Sequence, residues 1–170
     1  MKLNKDVVLN ENFNLNLKTF KKVNKVDKQD EDVLKKLVTS NYSNWNQKQR
    51  IKFFNTYPKA LGYLSEIEQV EFLSKENLKF LSESLQKRAI LENEENLKFV
   101  STKIQAESII ENNARATLFE FDTLKDIVSE YKNVLECLPE HIQIDICKAN
   151  NKMIRYANMI VQDKVISINP

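Results

Sequence analysis

Residues 135–157 read LECLPEHIQIDICKANNKMIRYA, and the same pattern of apolar and polar residues begins again at Ile154. In this stretch the third and fourth positions are apolar, and further apolar residues stand seven, eleven and twelve places after the start. Offsets of seven, eleven and twelve lie on one face of an α-helix. The pattern recurs at nearly constant steps along the chain, which indicates an internal repeat. Its units begin at Leu61, Leu78, Leu97, Ala116, Leu135 and Ile154.

Two polar residues also recur at fixed places in the units. A glutamine stands eight places after the start in five of the six units, and an asparagine stands fifteen places after it in four. We expect the glutamines to lie on the exposed side of a helix. Because asparagine tolerates the left-handed backbone conformation, we expect it to end the helix as glycine often does. The glutamines are Gln69, Gln86, Gln105, Gln143 and Gln162, and the asparagines are Asn93, Asn112, Asn150 and Asn169.

Helix-start signals locate the longer helix of each unit. A serine occupies the N-cap position at Ser65, Ser82 and Ser101, and Glu68 completes a capping box with Ser65. Each unit therefore predicts a short helix of about five or six residues, a tight turn and a helix of about ten. Such short helices cannot bury their apolar faces alone, so the units are expected to stack. The predicted fold is all-α, an α-solenoid of about six helix-turn-helix repeats with an extended N-terminal arm.

The repeat divides the chain into three predicted regions. Residues 1–28 form a basic, extended or flexible arm, residues 29–60 form N-terminal helices that include a degenerate repeat and a cap, and residues 61–170 form the six-unit repeat domain. The fourth unit departs from the pattern, because Glu120 and Phe121 stand at the cap and Leu124 replaces the glutamine. Pro139 takes the cap position of the fifth unit. We expect a local kink or a contact surface at the fourth unit.

The stretch at residues 135–157 resembles short helical-hairpin repeats of uncharacterised function that occur, often in long arrays, in bacterial, phage and large-virus proteins. The resemblance covers residues 61–170. Those arrays typically place proline after the asparagine, and alanine where Ile146 and Ser108 stand, so this copy is divergent. The resemblance implies a helical-repeat fold and no shared chemistry.

The residue types from which most active sites are built are scarce. A single glycine cannot form a phosphate loop or a dinucleotide fingerprint, and one histidine with two cysteines cannot form a zinc site of the usual spacing. The sequence places no nucleophile beside His141, and Cys137 and Cys147 are typical of reduced, buried thiols. We therefore expect no enzymatic activity, no cofactor, no metal and no small-molecule substrate. No apolar run suits a membrane span or a signal peptide, so we expect a cytoplasmic location, or a virion if the chain is phage-encoded.

The first 28 residues carry seven lysines against three carboxylates, and from residue 9 to residue 17 asparagines alternate with mainly apolar residues. A period of two is typical of an extended strand, so we expect residues 7–20 to dock on a protein partner or a neighbouring copy, with a flexible tail as the alternative. Lysines can also bind phosphates, which leaves nucleic-acid binding as a second reading of this segment. The arm residues assigned to partner binding are Phe13, Leu15, Leu17, Lys18, Lys21, Lys22 and Lys25.

Two further contact surfaces are predicted on the repeat. Solenoids bind partners along an extended face, and the last unit has no polar capping helix after it. The repeat-face residues are Gln69, Gln86, Gln105, Phe119, Phe121, Gln143 and Gln162, and the subunit-docking residues are Ile154, Ile160, Val165 and Ile166. The predicted function is a non-enzymatic protein–protein interaction or structural subunit of a larger assembly, for instance a phage or virion particle. The alternatives are a nucleic-acid-binding helical repeat and a small inhibitor of a host enzyme that acts by surface contact.

Overall fold

The structure of the protein, a computed structural model, describes residues 28–168, with side chains from residue 31 to residue 167. Throughout these residues the only regular secondary structure is helix, so the all-α prediction is confirmed. The arm residues predicted to bind a partner, from Phe13 to Lys25, lie outside the described residues, as does Asn169. The described chain divides into two compact parts, an N-terminal part of residues 28–72 and a C-terminal part of residues 73–168.

The N-terminal part is built around aromatic side chains. The rings of Trp45 and Phe53 lie 4.7 Å apart between centroids, and those of Phe54 and Phe72 lie 4.8 Å apart. Ring pairs at such distances add to the free energy of burial. The first helix of the N-terminal part contains the buried residues Leu34, Leu37 and Val38. The elements are α1 (Lys28–Asn41), a 3₁₀ helix (Tyr42–Asn44), α2 (Gln47–Thr56), a 3₁₀ helix (Pro58–Tyr63), α3 (Glu66–Gln69) and a 3₁₀ helix (Val70–Phe72).

In the C-terminal part 3₁₀ helices alternate with α-helices, and each α-helix is 10 residues long. Its α-helices begin at residues 83, 102, 121, 140 and 159, a constant interval that equals the spacing of the sequence units from Leu78 onward. The predicted pairing of a short helix with a longer one is therefore confirmed for these residues, and the short helix is of the tighter 3₁₀ type. The α-helices are α4 (Glu83–Glu92), α5 (Thr102–Glu111), α6 (Phe121–Glu130), α7 (Glu140–Ala149) and α8 (Met159–Ile168). The 3₁₀ helices are Leu78–Phe80, Glu94–Phe99, Asn113–Leu118, Lys132–Cys137 and Asn151–Tyr156.

Side-chain caps fix where several α-helices begin. The predicted capping box is confirmed, because the Ser65 side chain accepts from the Glu68 backbone N–H and the Glu68 carboxylate accepts from the Ser65 backbone N–H. Ser82 Oγ accepts a hydrogen bond from the Leu85 N–H at 3.3 Å and begins α4. Ser101 occupies the N-cap of α5 without a side-chain hydrogen bond to the helix. The caps of Ser65 and Ser82 satisfy N–H groups that the first turn of a helix leaves without an intrahelical partner.

The asparagine column does not end helices in the expected way. Asn93, Asn112 and Asn150 have φ values of −156°, −149° and −147°, which is extended backbone, so the expected left-handed conformation is wrong. Each side chain instead accepts a hydrogen bond from the backbone N–H two places later, at 3.0 to 3.2 Å. The asparagine thus begins the next 3₁₀ helix. A short polar side chain that bonds to its own neighbouring backbone performs the turn without positive φ.

The core of the C-terminal part consists of the apolar columns identified in the sequence. The first position of a unit is fully buried at Leu97, Ala116 and Leu135. The positions eleven and twelve places later are buried in α5, α6 and α7, and they face the core from each helix in turn. Because every unit contributes the same columns, one apolar layer continues from helix to helix.

Candidate interaction surface

The glutamine column lies inside the protein. Four of its five members are buried, which contradicts the expectation that they lie on the exposed side of a helix. Their side chains offer almost no surface to a partner, so they do not belong to an accessible repeat face. Gln162 is half-buried. The buried members are Gln69, Gln86, Gln105 and Gln143.

Each glutamine amide is satisfied by backbone groups. Nε2 donates to the carbonyl five places earlier, for example from Gln86 to Leu81 at 2.8 Å and from Gln143 to Leu138 at 2.7 Å. Gln69 and Gln162 make the same bond, whereas Gln105 donates to the carbonyls of the 3₁₀ helix before it. A buried amide needs such partners, because an unpaired one is costly.

Two of these glutamines also link neighbouring α-helices. The Oε1 atom of Gln86 accepts a hydrogen bond from the Ser101 N–H at 2.7 Å, and that of Gln143 accepts from the Asn158 N–H at 3.0 Å. Both donors lie fifteen places after the glutamine, immediately before the next helix. The column is therefore a structural connection between successive helices. The sequence contained this signal, since the glutamine stands three and four places before two core positions and so lies on the buried face.

The connection from the fourth unit to the fifth lacks both of the groups that form this bond. Leu124 occupies the glutamine position and is fully buried, and Pro139 stands fifteen places later, at the position where Ser101 and Asn158 donate. Proline has no backbone N–H. An amide oxygen at position 124 would find no donor there, so the leucine suits a neighbouring unit whose cap is proline.

The two phenylalanines predicted for the repeat face differ in position. Phe121 begins α6 and is 41% exposed, whereas Phe119 is half-buried and packs against the core. Phe121 therefore lies on the accessible surface. Phe119 serves mainly to cover the apolar layer beneath it.

The residues predicted to dock another subunit fall into two groups. Ile160 and Ile166 are 61% and 57% exposed, and Ile154 is half-buried. Val165 is 3% exposed, so its placement on an open face is wrong; it packs into the apolar layer of the C-terminal part. Ile154, Val165 and Ile166 line an open cleft of about 490 Å³ together with Cys147 and Asn150.

Two exposed apolar residues lie at the same place on neighbouring helices. Leu91 is 85% exposed and Ile110 is 45% exposed, and each is the ninth residue of its helix, in α4 and α5. The same position holds Ser129 in α6 and Lys148 in α7. Burial therefore does not require an apolar residue there. Exposed apolar side chains that neighbour one another are typical of contact surfaces.

Ion pairs connect some of the neighbouring α-helices on the solvent side. Glu83 of α4 pairs with Lys103 of α5 at 2.6 Å, and Lys87 pairs with Glu107 at 3.0 Å. Glu140 of α7 pairs with Lys164 of α8. The hydrogen bond from Lys103 lowers the pKa of Glu83 from its ordinary value. Exposed pairs of this kind contribute little to stability. They indicate that the paired helices lie close together, and they do not define a binding site.

A tighter polar cluster lies in the N-terminal part. The Tyr42 hydroxyl donates to Glu71 Oε2 at 2.6 Å, Arg50 pairs with the same carboxylate at 3.1 Å, and the guanidinium lies 4.2 Å from the centre of the Tyr42 ring. Burial, followed by the bond to Glu71, raises the pKa of Tyr42. The bond from Tyr42, assisted by Arg50, lowers the pKa of Glu71. Arg50 and Glu71 thus tie α2 to the 3₁₀ helix at Val70–Phe72.

The candidate chemical groups are dispersed. His141 is exposed on α7, and both cysteines are free thiols, with Cys147 buried and Cys137 partly exposed. Burial raises the pKa of both thiols. Within residues 31–167, no three histidine, cysteine, aspartate or glutamate side chains gather in a way that could hold a metal ion. Among the helices of residues 28–168, none has the length and apolar character that a membrane crossing needs.

The fold and the surface together define a helical protein built from repeated 3₁₀–α pairs with apolar residues on its outside. Comparison with models of protein families, with curated proteins and with solved structures found no match to the chain.

Proposed function

We propose that the C-terminal part is an α-solenoid whose outer surface binds a protein partner, and that the chain is a non-enzymatic interaction or structural subunit of a larger assembly. The recurrence of α4 to α8 at a constant interval supports the solenoid, as do the glutamine bonds from each of two helices to the next. Six units result if the residues from Leu61 form a first, shorter unit in which α3 replaces the longer helix.

The exposed pair of Leu91 and Ile110 is the observation that carries the binding proposal. Each side chain leaves apolar area in water at a position where the fold accepts serine or lysine equally well. Burying such area is worth about 25 cal/mol per Å², so a partner that covers both residues gains affinity from them. Phe121 of α6 and Met159 of α8 are also exposed, but each is the first residue of its helix and lies at the opposite helix end from Leu91 and Ile110, so neither belongs to this surface.

The test is co-purification of the tagged full chain from its native source, with the mass of the complex measured under native conditions. We expect a complex heavier than the 20.0 kDa chain, which the variant Leu91→Asp/Ile110→Asp no longer forms. The matched control is Ser129→Asp/Ser167→Asp, which adds the same two negative charges at the same helical position of α6 and α8. Binding that survives the first variant, with an unchanged circular dichroism spectrum, would contradict the assignment of this surface.

A second variant tests the arm. Deletion of residues 1–22 is expected to weaken the complex, because those residues are proposed to dock on the partner. An unchanged complex would remove the arm from the proposal. Salt-sensitive binding of the full chain to RNA or DNA, lost with the same deletion, would instead favour the nucleic-acid alternative.

A further inference from the structure

The junction between α6 and α7 combines three features that no other described junction of the C-terminal part has together. The first is the missing glutamine bond. Gln86 links α4 to the N-cap of α5, and Gln143 links α7 to the residue before α8. Between α6 and α7 the chain has Leu124 and Pro139, which have neither the amide nor the N–H that this bond requires. Between α5 and α6 the described bonds of Gln105 go to Leu97 and Lys98, so no glutamine bond is described at that junction either, although the amide and the Glu120 N–H are both present there.

The second feature is weak helix packing. The helices α4 and α5, α5 and α6, and α7 and α8 lie against one another, and the contact between α6 and α7 is the weakest of the four. The third is charge pairing, since ion pairs join α4 to α5 and α7 to α8, and none of the described ion pairs joins α6 to α7. None of the described ion pairs joins α5 to α6 either, but these two helices pack more closely than α6 and α7 do, and Ala106 of α5 is buried.

The other side of the α6–α7 junction remains packed. The 3₁₀ helix Lys132–Cys137, which joins the two α-helices, lies against α5 and against the 3₁₀ helix Asn151–Tyr156. Its Val134 and Leu135 are fully buried in the apolar layer. The chain is therefore held on the 3₁₀ side, whereas on the α-helical side α6 and α7 share the apolar layer through Leu124, Val128 and Ile146 without a described polar bond between them. Apolar contacts are not directional, so this arrangement permits rotation about the packed edge.

We infer that the α6–α7 junction is a hinge of the C-terminal part. Rotation about the packed 3₁₀ edge separates α6 from α7 on the α-helical side, and it breaks none of the described hydrogen bonds or ion pairs, because none of them joins these two helices. The segment containing α7 and α8 thereby changes its direction relative to α4, α5 and α6. A binding surface that spans the junction can adjust its curvature to a partner through this motion.

The test measures distances between spin labels on exposed residues of the isolated chain. The labels are placed at Leu91, Ser129 and Ser167, which occupy the same helical position in α4, α6 and α8. The pairs 91/129 and 129/167 therefore each measure the distance between two α-helices that have one other α-helix between them. The native cysteines are replaced by Cys137→Ser and Cys147→Val, the latter because valine occurs at the equivalent Val128. We expect a broader distance distribution for 129/167, which spans the hinge, than for 91/129, which does not. Equal widths overturn the hinge.

A restoring variant tests the cause of the motion. Leu124→Gln/Pro139→Ser supplies the amide and the N–H that the linked junctions have. We expect it to narrow the 129/167 distribution to the width of the 91/129 pair and to leave the 91/129 pair unchanged. An unchanged 129/167 width in a folded variant overturns the assignment to these two residues. The comparison of the two pairs without this core substitution remains decisive if the variant does not fold.

Discussion

Replacement of Gln143 by leucine is the sharpest test of the buried glutamine column. Gln143 is 1% exposed, its Nε2 donates to the Leu138 carbonyl at 2.7 Å and its Oε1 accepts from the Asn158 N–H at 3.0 Å. Leucine fills a similar space but leaves both backbone groups unpaired. An unsatisfied buried group costs about 1–3 kcal/mol, and the Asn158 N–H is only partly buried, so we expect the free energy of unfolding to fall by about 2–4 kcal/mol.

The assay is urea denaturation at pH 7, followed by far-ultraviolet circular dichroism in both directions. Gln162→Leu is the matched control, because Gln162 is half-buried and its amide makes one bond, to the Ala157 carbonyl. We expect that control to lose about 0.5–1.5 kcal/mol. A Gln143→Leu protein as stable as the unsubstituted chain would refute the reasoning. In that case the apolar contacts of the leucine would outweigh both lost bonds, and the glutamine column would need another explanation.

Three further predictions concern other parts of the chain. Asn112→Ala should lower the free energy of unfolding by about 1 kcal/mol in the same assay, and Asn112→Gly should give no gain, because the residue is extended and acts through its side chain; a stabilising glycine would contradict this. Tyr42→Phe should raise the pKa of Glu71, measured by carboxyl NMR titration, because it removes the hydrogen bond that lowers this pKa. The stabilisation from Glu71 is present above the ordinary carboxyl pKa and is lost as the pH falls through the lowered value. A Glu71 pKa that is the same in both proteins would argue against the bond. Burial raises the pKa of Tyr57 from 10.0 to about 12, so its stabilising effect is present below pH 10 and is lost as the pH rises through about 12. The difference between the absorbance titrations of the unsubstituted chain and Tyr57→Phe should show one tyrosine that ionises near pH 12. Ionisation of that tyrosine near pH 10 would contradict its burial.

The helical fold could be predicted because its signal is periodic. Offsets of eleven and twelve places predicted buried residues in α4, α5, α6 and α7, whereas Ile166 of α8 is 57% exposed. Ser65 with Glu68 predicted a helix start that the structure contains. These features depend on residues close in sequence. Local patterns therefore sufficed for the element order of the C-terminal part and for most of its core, whereas the first unit has only the four-residue α3 where a helix of about ten residues was expected.

The roles of the two polar columns were not predicted, for a physical reason. The burial of Gln143 is indicated by its spacing from Ile146 and Cys147, but the residue was assigned to the exposed side because glutamine is usually exposed. Its acceptor role has no local signal, because the donor lies fifteen places away. Asn112 was expected to have positive φ because the same residue type suits both a left-handed turn and a side-chain cap. Type and spacing identify such residues, and only their partners distinguish the alternatives.

The predicted contact surface was partly wrong for a related reason. Position in a repeat indicates which residues are equivalent, but exposure depends on how neighbouring helices pack. Val165 and Ile166 are consecutive apolar residues of α8, yet one is buried and the other is exposed. Leu91 and Ile110 were missed altogether. Their signal is an apolar residue in a column that is otherwise polar, with serine and lysine at Ser129 and Lys148.

The dependence of Leu124 on Pro139 has a consequence for how such a chain can change length. A whole unit can be duplicated or removed without loss of hydrogen bonds only where the unit before the boundary supplies the glutamine acceptor and the unit after it supplies the backbone N–H donor. Duplication of the unit at residues 135–153 would place the Pro139 of the copy where Asn158 now follows Gln143, and the bond from the Asn158 N–H to Gln143 would have no counterpart there because proline has no N–H. Leu124 and Pro139 lie in different units, so recombination at the boundary between these units separates a residue that needs no donor from the proline that supplies none. We expect this boundary to tolerate rearrangement worse than the boundary between α7 and α8.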